Sequence, residues 1–288
     1  MIRSGYYHII PENDFKKRTK GDGVMNKELA VVVSNDNEGV SVFETVDAIK
    51  KAGFRNVFVQ WYDSPWEISQ EEQLAYIGNA GLNVIFAHLG YQNINDIWRE
   101  DEAGDRLVER YMNDIANCRK NGIPMVVIHV SSKSKAPAYG ETGIGRLKRL
   151  AGYAESMNMK IAFENNKIKG YPDYVLENLT GANVGLCFDV GHWHAHFNDE
   201  LDFEKFRNRI FAVHLHDNFG KDDEHLMPFD GTVDWHYAMS KIADCGYDGP
   251  ITLEICRHGK YTGEPLEDFY KRGFEIGERL AGITSGEE

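Results

Sequence analysis

From Glu28 onward the sequence repeats one unit eight times: a short run of β-branched and aromatic residues, then a longer stretch with apolar residues at helical spacing. The runs are Ala30–Val33, Asn56–Trp61, Asn83–His88, Met125–Val130, Lys160–Glu164, Val184–Asp189, Phe211–His216 and Ile251–Ile255. Helices are expected over Val42–Lys51 (stopped by Gly53), through Leu74 and Ile77, over Leu107–Cys118, through Leu147 and Met157, and over Tyr174–Leu179. The last three are expected at Phe203–Arg209, Asp234–Cys245 and Phe269–Leu280. Nearly continuous apolar strands belong to a parallel sheet covered on both faces, and eight such units predict closure into a single (β/α)8 barrel. An open doubly wound sheet would need fewer strands or a composition break, and no low-complexity linker divides the chain. The barrel is expected over 27–288. Residues 1–26, with a basic cluster at Lys16–Lys20 and a Gly21-Asp22-Gly23 stretch, read as a separate N-terminal extension.

Composition narrows the function classes. With 42% hydrophobic and 27% charged residues in 288, the chain has ample material for a large core. No run approaches the ~18 consecutive apolar residues of a membrane span, and Pro11, Glu12 and Asn13 interrupt any signal-peptide core after Ile10. Cys118, Cys187, Cys245 and Cys256 are far apart with no CxxC pair, so they read as reduced thiols of a cytoplasmic protein. A net charge of −13 counts against a nucleic-acid partner, since binding phosphates takes a basic surface.

The strand ends depart from the apolar pattern. His88, His129, Glu164, Asp189, His214, His216 and Glu254 stand at or near the last positions of consecutive strands, and His192, Asp223 and His225 lie just beyond two of them. His214 and His216 share one strand face by their i, i+2 spacing. In a barrel these positions converge on the C-terminal mouth, where such folds place their chemistry. Unpaired, each buried ionisable group would cost several kcal/mol, on the order of the penalty for burying a charge. A divalent metal resolves this by keeping carboxylates ionised and imidazoles neutral. Two glutamates, one aspartate and one histidine form an oxygen-rich set suited to Mn²⁺, Mg²⁺ or Co²⁺; adding the other histidines moves the balance towards Zn²⁺ and more than one ion.

At these residues the sequence resembles the xylose isomerase-like barrel superfamily of sugar isomerases, epimerases, inosose dehydratases and family 2 apurinic endonucleases. The matching runs are Val127-Ile128-His129, Ala162-Phe163-Glu164-Asn165-Asn166, Phe188-Asp189-Val190-Gly191-His192, His214-Leu215-His216-Asp217-Asn218, Asp223-Glu224-His225 and Leu253-Glu254, within roughly residues 28–280. The resemblance to the sugar-converting members implies one divalent metal on Glu164, Asp189, His216 and Glu254, with His192 touching substrate. The endonuclease pattern implies a larger cluster on His88, His129, Glu164, Asp189, His192, His214, Asp223, His225 and Glu254. One departure stands out: where relatives read Pro-Gly-x-Gly-x-x-Asp-Trp, this chain has Phe229 for the first glycine.

The expected activity is isomerisation or epimerisation of a small carbohydrate (a sugar, a sugar phosphate or a related polyol ketone), with Glu164 and Glu254 as paired proton-transfer bases. Metal-dependent cleavage of abasic DNA is the alternative, disfavoured by the charge. Trp61 and Trp193 are candidates for an apolar wall against a sugar ring, though packing explains either equally well. Lys133, Lys221 and Arg257 are candidates for meeting a phosphate, and solvated surface charge is the plainer account of each. The resemblance also implies that copies pair as a homo-oligomer through barrel faces or helices, but no stretch reads as that interface.

Overall fold

A computed structural model describes residues 28–34, 37, 39–61, 68–132, 135–197 and 201–285; the expected N-terminal extension and Lys133 lie outside the described residues. The strands are β1 (Leu29–Val33), β2 (Asn56–Trp61), β3 (Asn83–Leu89), β4 (Met125–His129), β5 (Lys160–Glu164), β6 (Val184–Asp189), β7 (Ile210–His214) and β8 (Ile251–Leu253). Between and after them run α1 (Val42–Ala52), α2 (Gln70–Asn79), α3 (Glu102–Lys120), α4 (Glu141–Ser156), α5 (Tyr171–Asn178), α6 (Val190–Phe197), α7 (Trp235–Asp244) and α8 (Leu266–Ser285). Every ladder is parallel, in the order β7-β6-β5-β4-β3-β2-β1-β8. A single parallel bridge, Leu215 to Leu253, brings the two ends together and makes the sheet a nearly closed (β/α)8 barrel. At that seam Leu215 N–H donates to Thr252 O at 3.0 Å and Glu254 N–H donates to Leu215 O at 3.1 Å.

Local chemistry starts and stops the helices. Ser41 and Glu44 form a reciprocal capping box at the head of α1, as do Ser69 and Glu72 at the head of α2. Gly53, at φ 109°, ends α1 in the left-handed region that a side chain disfavours. One expectation fails here. The helix expected at Phe203–Arg209 is only a short 3-10 turn, Phe203–Phe206, and the true helix, α6, begins directly at the end of β6. Asp189 explains this: its Oδ1 accepts from the His192 backbone N–H at 2.6 Å, as an N-cap residue would, so the strand's last residue also starts the helix.

The period of two along each strand separates two cores. Val32, Phe58, Phe86, Val127, Ala162, Cys187 and Ala212 fill the barrel's interior. Their neighbours in sequence, such as Val31, Val57, Val126, Phe163 and Val213, pack outward under the helices. Continuing the inward parity towards the mouth gives His88, His129, Glu164, Asp189, His214 and Glu254, all buried. Trp61 has the outward parity, joins the helix-side core and turns away from the mouth. Cys118, Cys187, Cys245 and Cys256 are buried and unbridged. Among the described residues, no helix is long and apolar enough to cross a membrane.

Candidate metal centre

Barrel register sets the height of each inward side chain. Glu164 at the end of β5 pairs with His129 of β4 and Cys187 of β6, and Asp189 pairs with His214 of β7. The first inward histidine of β7 is therefore level with the carboxylates. His214 Nδ1 lies 3.2 Å from Glu164 Oε1, 3.2 Å from Glu254 Oε2 and 3.8 Å from Asp189 Oδ2. These four fully or nearly buried residues offer ligand atoms within 4.8 Å of one another. The expected quartet had His216 in this place. His216 stands two residues beyond the end of β7, with its Nε2 3.1 Å from Asp189 Oδ1 and 3.7 Å from Asp223 Oδ1.

Three further groupings adjoin this one: His88 with His129 and Glu164, His88 with His214 and Glu254, and His216 with Asp223 and His225. His88 Nε2 and His129 Nε2 reach Glu164 Oε2 at 2.9 and 3.0 Å. Farther out, Asp223 lies 3.1 Å from His192 Nε2 and 3.4 Å from His225 Nε2. His192 also turns its Nδ1 to Glu164 Oε1 and Asp189 Oδ2, both at 3.3 Å, linking the groupings. Below them His214 stacks on Phe58 at 5.0 Å and 12°, and Phe58 stacks on Phe86 at 4.6 Å, so buried aromatic rings form the floor of the site.

The proton inventory shows that these residues fit a cation. His88 Nδ1 lies 3.1 Å from Leu89 O, His192 Nδ1 3.1 Å from Asn165 O and His225 Nδ1 3.0 Å from Glu254 O. Each of these nitrogens therefore carries the ring proton, and each neutral ring presents an Nε2 lone pair to a carboxylate oxygen. Lone pair against lone pair at about 3 Å is repulsive unless a cation lies between them. His216 Nδ1 and Asp223 Oδ1, both buried, make no hydrogen bond. Backbone carbonyls that fix the tautomer in this way are a recurring support of metal-binding histidines.

With protons as the only cations, the same geometry shifts the titrations. Burial alone would lower His192 and His225, yet Asp189 and Asp223 hold His192 well above the ordinary imidazole value, and Asp223 and Glu254 do the same for His225. His214 also rises against burial, carried by Glu254 and Glu164, because the adjacent Cys187 thiol, which burial pushes up to about 12, stays neutral. Burial would raise Glu164 and Asp189, but His129 and His214 hold Glu164 well below the usual carboxylate range, and His192 and His216 lower Asp189. Asp223 is lowered by His192 and His225 against burial. His129 alone among these imidazoles is lowered, by burial, with Glu164 opposing.

These directions predict a dependence of stability on pH. Groups raised in the fold stabilise it fully below the unfolded imidazole value, about 6.5, and lose that contribution as pH rises through their folded values. The lowered carboxylates contribute above about 4 to 4.5 and lose it as pH falls. His129 works the other way and trims the acid side, one imidazole against three. Metal-free protein should therefore be most heat-resistant between about pH 4.5 and 6.5. Metal-loaded protein should gain stability above pH 7, because ligation releases protons. Thermal melts in chelator and in excess Zn²⁺ across pH 5 to 8 test this; parallel curves would contradict it.

Neighbouring residues hold the clustered side chains in place. Asn165 clamps the end of β6, donating to Asp189 O and accepting from Asp189 N–H, both at 2.8 Å. Asp217 organises the loop after β7, accepting from the N–H groups of Asn218, Phe229 and Val233 and from Trp235 Nε1 at 2.9 to 3.1 Å. Within that loop Phe229 keeps φ 72°, the conformation its relatives' glycine would favour, with the Arg279 guanidinium 3.6 Å over its ring. Phe229 holds this left-handed conformation at a strain of about 1 kcal/mol or more. Gly191 must lack a side chain: a Cβ there would come within 1.9 Å of His216 Cε1. Gly191→Ala should displace His216 and lower stability by about 1–3 kcal/mol, as overpacking does. An unchanged denaturation midpoint would contradict that contact.

The other candidates lie elsewhere. Trp193 is buried against Phe188, Phe203 and Tyr237 and faces away from the cluster. Arg257 spends its guanidinium on the carbonyls of Glu264 and Thr262, at 2.6 and 2.5 Å. Lys221 is exposed on the loop after β7. The sequence reading missed Tyr91, which is 48% exposed just past β3 and stacks on His129 at 4.8 Å and 13°. An exposed aromatic two residues beyond a strand carries no periodic signal.

Comparison with known proteins agrees with this architecture. The model of the family described as xylose isomerase-like TIM barrel matches residues 46–279. The uncharacterized protein y4fM of Sinorhizobium fredii is 38% identical over 188 residues, 60% of each chain. An inosose isomerase of Bacillus licheniformis is 26% identical over 182 residues, 56% of this chain and 64% of its own. This chain spans between 43% and 64% of the length of three curated relatives it matches. The crystal structure of the IOLI protein with a binding zinc atom superposes with a TM-score of 0.70 at 15% identity, covering 90% of this chain and 98% of that one, which shows a shared fold.

Proposed function

For a chain that belongs to the xylose isomerase-like TIM-barrel family, we propose a metal-dependent isomerase or epimerase of a small carbohydrate carrying a carbonyl. The observation that carries this reading is the convergence of Glu164, Asp189 and Glu254 on His214 Nδ1 at the buried mouth, within 3.2 to 3.8 Å. Three carboxylates and one imidazole suit Mn²⁺, Co²⁺ or Mg²⁺, and the zinc in the IOLI structure keeps Zn²⁺ in the set. The inosose isomerase relative supports a polyol-ketone class of substrate.

When bound there, a divalent ion supplies Lewis-acid polarisation of the substrate carbonyl. The two glutamates differ in what they can do. Both oxygens of Glu164 face imidazoles, Oε1 towards His214 and His192 and Oε2 towards His88 and His129, and 1% of its side chain is exposed. Glu254, 8% exposed, turns Oε2 to His214 at 3.2 Å and to His225 only at 4.0 Å. Glu254 is therefore the base that takes the proton α to the carbonyl and returns it, and Glu164 chiefly holds the centre. His192, between both carboxylate groups, is placed to orient substrate hydroxyls, and Tyr91 offers an apolar face at the rim.

Incubation with a panel of ketoses and inososes in D₂O tests the reading: solvent deuterium should appear at the carbon α to the carbonyl, and only in metal-loaded protein. A second reading, phosphodiester cleavage at abasic DNA, is favoured by one observation, the His192–Asp223–His225 grouping beside the main one. Nicking of an abasic duplex without exchange into any sugar would replace the first reading with the second.

A further inference from the structure

We propose that His129 is not a metal ligand: the Asn166 amide locks its ring as an Nε2–H donor that positions Glu164. The argument begins one residue away. Lys167 backbone N–H donates to Asn166 Oδ1 at 2.9 Å, which fixes the amide oxygen and turns Nδ2 towards His129 Nδ1 at 3.0 Å. An amide nitrogen can only donate, so His129 Nδ1 must accept with its lone pair. The ring proton of neutral His129 is then on Nε2, 3.0 Å from Glu164 Oε2, which accepts it. Flipping the amide would set its NH₂ against Lys167 N–H and break that bond.

His88 meets the same carboxylate oxygen with the opposite polarity. Its Nδ1 proton goes to Leu89 O, so its Nε2 brings a lone pair to Glu164 Oε2 at 2.9 Å. Two imidazoles thus flank one oxygen, and only His88 has a lone pair to give a cation. Tyr91, stacked at 13° on His129, holds that ring in plane from the solvent side. His88, His129 and Glu164 come close enough to look like a third ion site, yet the hydrogen-bond chain Lys167–Asn166–His129–Glu164 uses up the lone pair that such a site needs. The chain of bonds also stiffens Glu164, leaving Oε1 to face His214. This inference rests on the reading of the cluster as a metal centre, and it sharpens it, since a centre without His129 is smaller than the full nuclease-type set.

Long-range ¹H–¹⁵N spectra of histidine-labelled protein read the tautomer directly, with the His129 signals assigned from His129→Gln. The Nε2–H form is expected in metal-free and in Zn²⁺-loaded protein, and His129→Ala should keep the zinc content per chain while affinity falls by about 10- to 100-fold, as for a residue that supports a ligand. Asn166→Asp replaces the donor by an acceptor, so the proton should move to Nδ1, freeing Nε2 and tightening zinc binding at least tenfold or adding an ion. An Nδ1–H tautomer in wild-type protein, or the loss of one zinc per chain in His129→Ala, would overturn the proposal. Should Asn166→Asp not fold, the wild-type spectra decide alone. Protein that binds no zinc at all would remove the metal-centre reading, while the tautomer would still be read in the metal-free state.

Discussion

Glu254→Gln should cut turnover by about 10²- to 10⁴-fold, the usual contribution of a positioned general base, which corresponds to about 3–5 kcal/mol of barrier. Glutamine keeps the length of the side chain and one carbonyl oxygen, so the contact with His214 at 3.2 Å should survive, and the loss of one of three carboxylate charges is offset by assaying at saturating metal. It cannot accept a proton. The loss should therefore fall on kcat with little change in KM, and deuterium exchange at the α-carbon should fail to the same extent. Metal content and thermal midpoint are the controls. A variant with normal metal content that retains more than a tenth of wild-type turnover would remove Glu254 from the base role. Glu164→Gln should behave differently, costing metal affinity as well as rate, because all four imidazoles around it lose a charge partner.

The second large effect separates the two histidines of the seventh strand. His214→Ala removes the nitrogen that faces all three carboxylates and should weaken binding of the main ion by at least about 100-fold, since even supporting residues around an ion typically cost about 10- to 100-fold. His216→Ala leaves that quartet whole. It should retain the main ion, weakened less than in His214→Ala through the lost contact with Asp189 Oδ1 at 3.1 Å, and lose affinity at the Asp223 grouping, where its Nε2 stands 3.7 Å from Oδ1. Calorimetric titration with Mn²⁺ and Zn²⁺ distinguishes them, and equal losses in the two variants would return the ligand role to His216.

That pair of residues marks the limit of what the sequence discloses. A period of two places His214 and His216 on one inward face but does not say which is level with Glu164. Only the pairing of Asp189 with His214 across two adjacent strands settles the height, and register between parallel strands is a long-range property. The barrel itself was legible because each strand carries its own local signature, and three strands, Asn56–Trp61, Lys160–Glu164 and Val184–Asp189, have the expected bounds. Helix α6 was hidden because its histidines and glycine carry little helical periodicity, and because Asp189 ends one element while starting the next. Arg257 and Trp193 were legible as residue types and not as directions: strand and helix phase sends Trp193 into the core, and a neighbouring loop takes the guanidinium. Phe229 shows the converse. A residue that breaks a glycine pattern can still adopt the glycine's conformation when enough hydrogen bonds on Asp217 hold the surrounding turn.

The barrel seam has a bearing on durability. Seven of the eight strand junctions are ladders, and the eighth is one bridge between Leu215 and Leu253. His214 lies on one side of this seam and Glu254 on the other, each next in sequence to a bridged residue. An ion held by both would span the weakest join in the sheet like a clasp. Loss of the ion and parting of the staves then become one event, so this protein's shelf life and its catalytic competence should decay together.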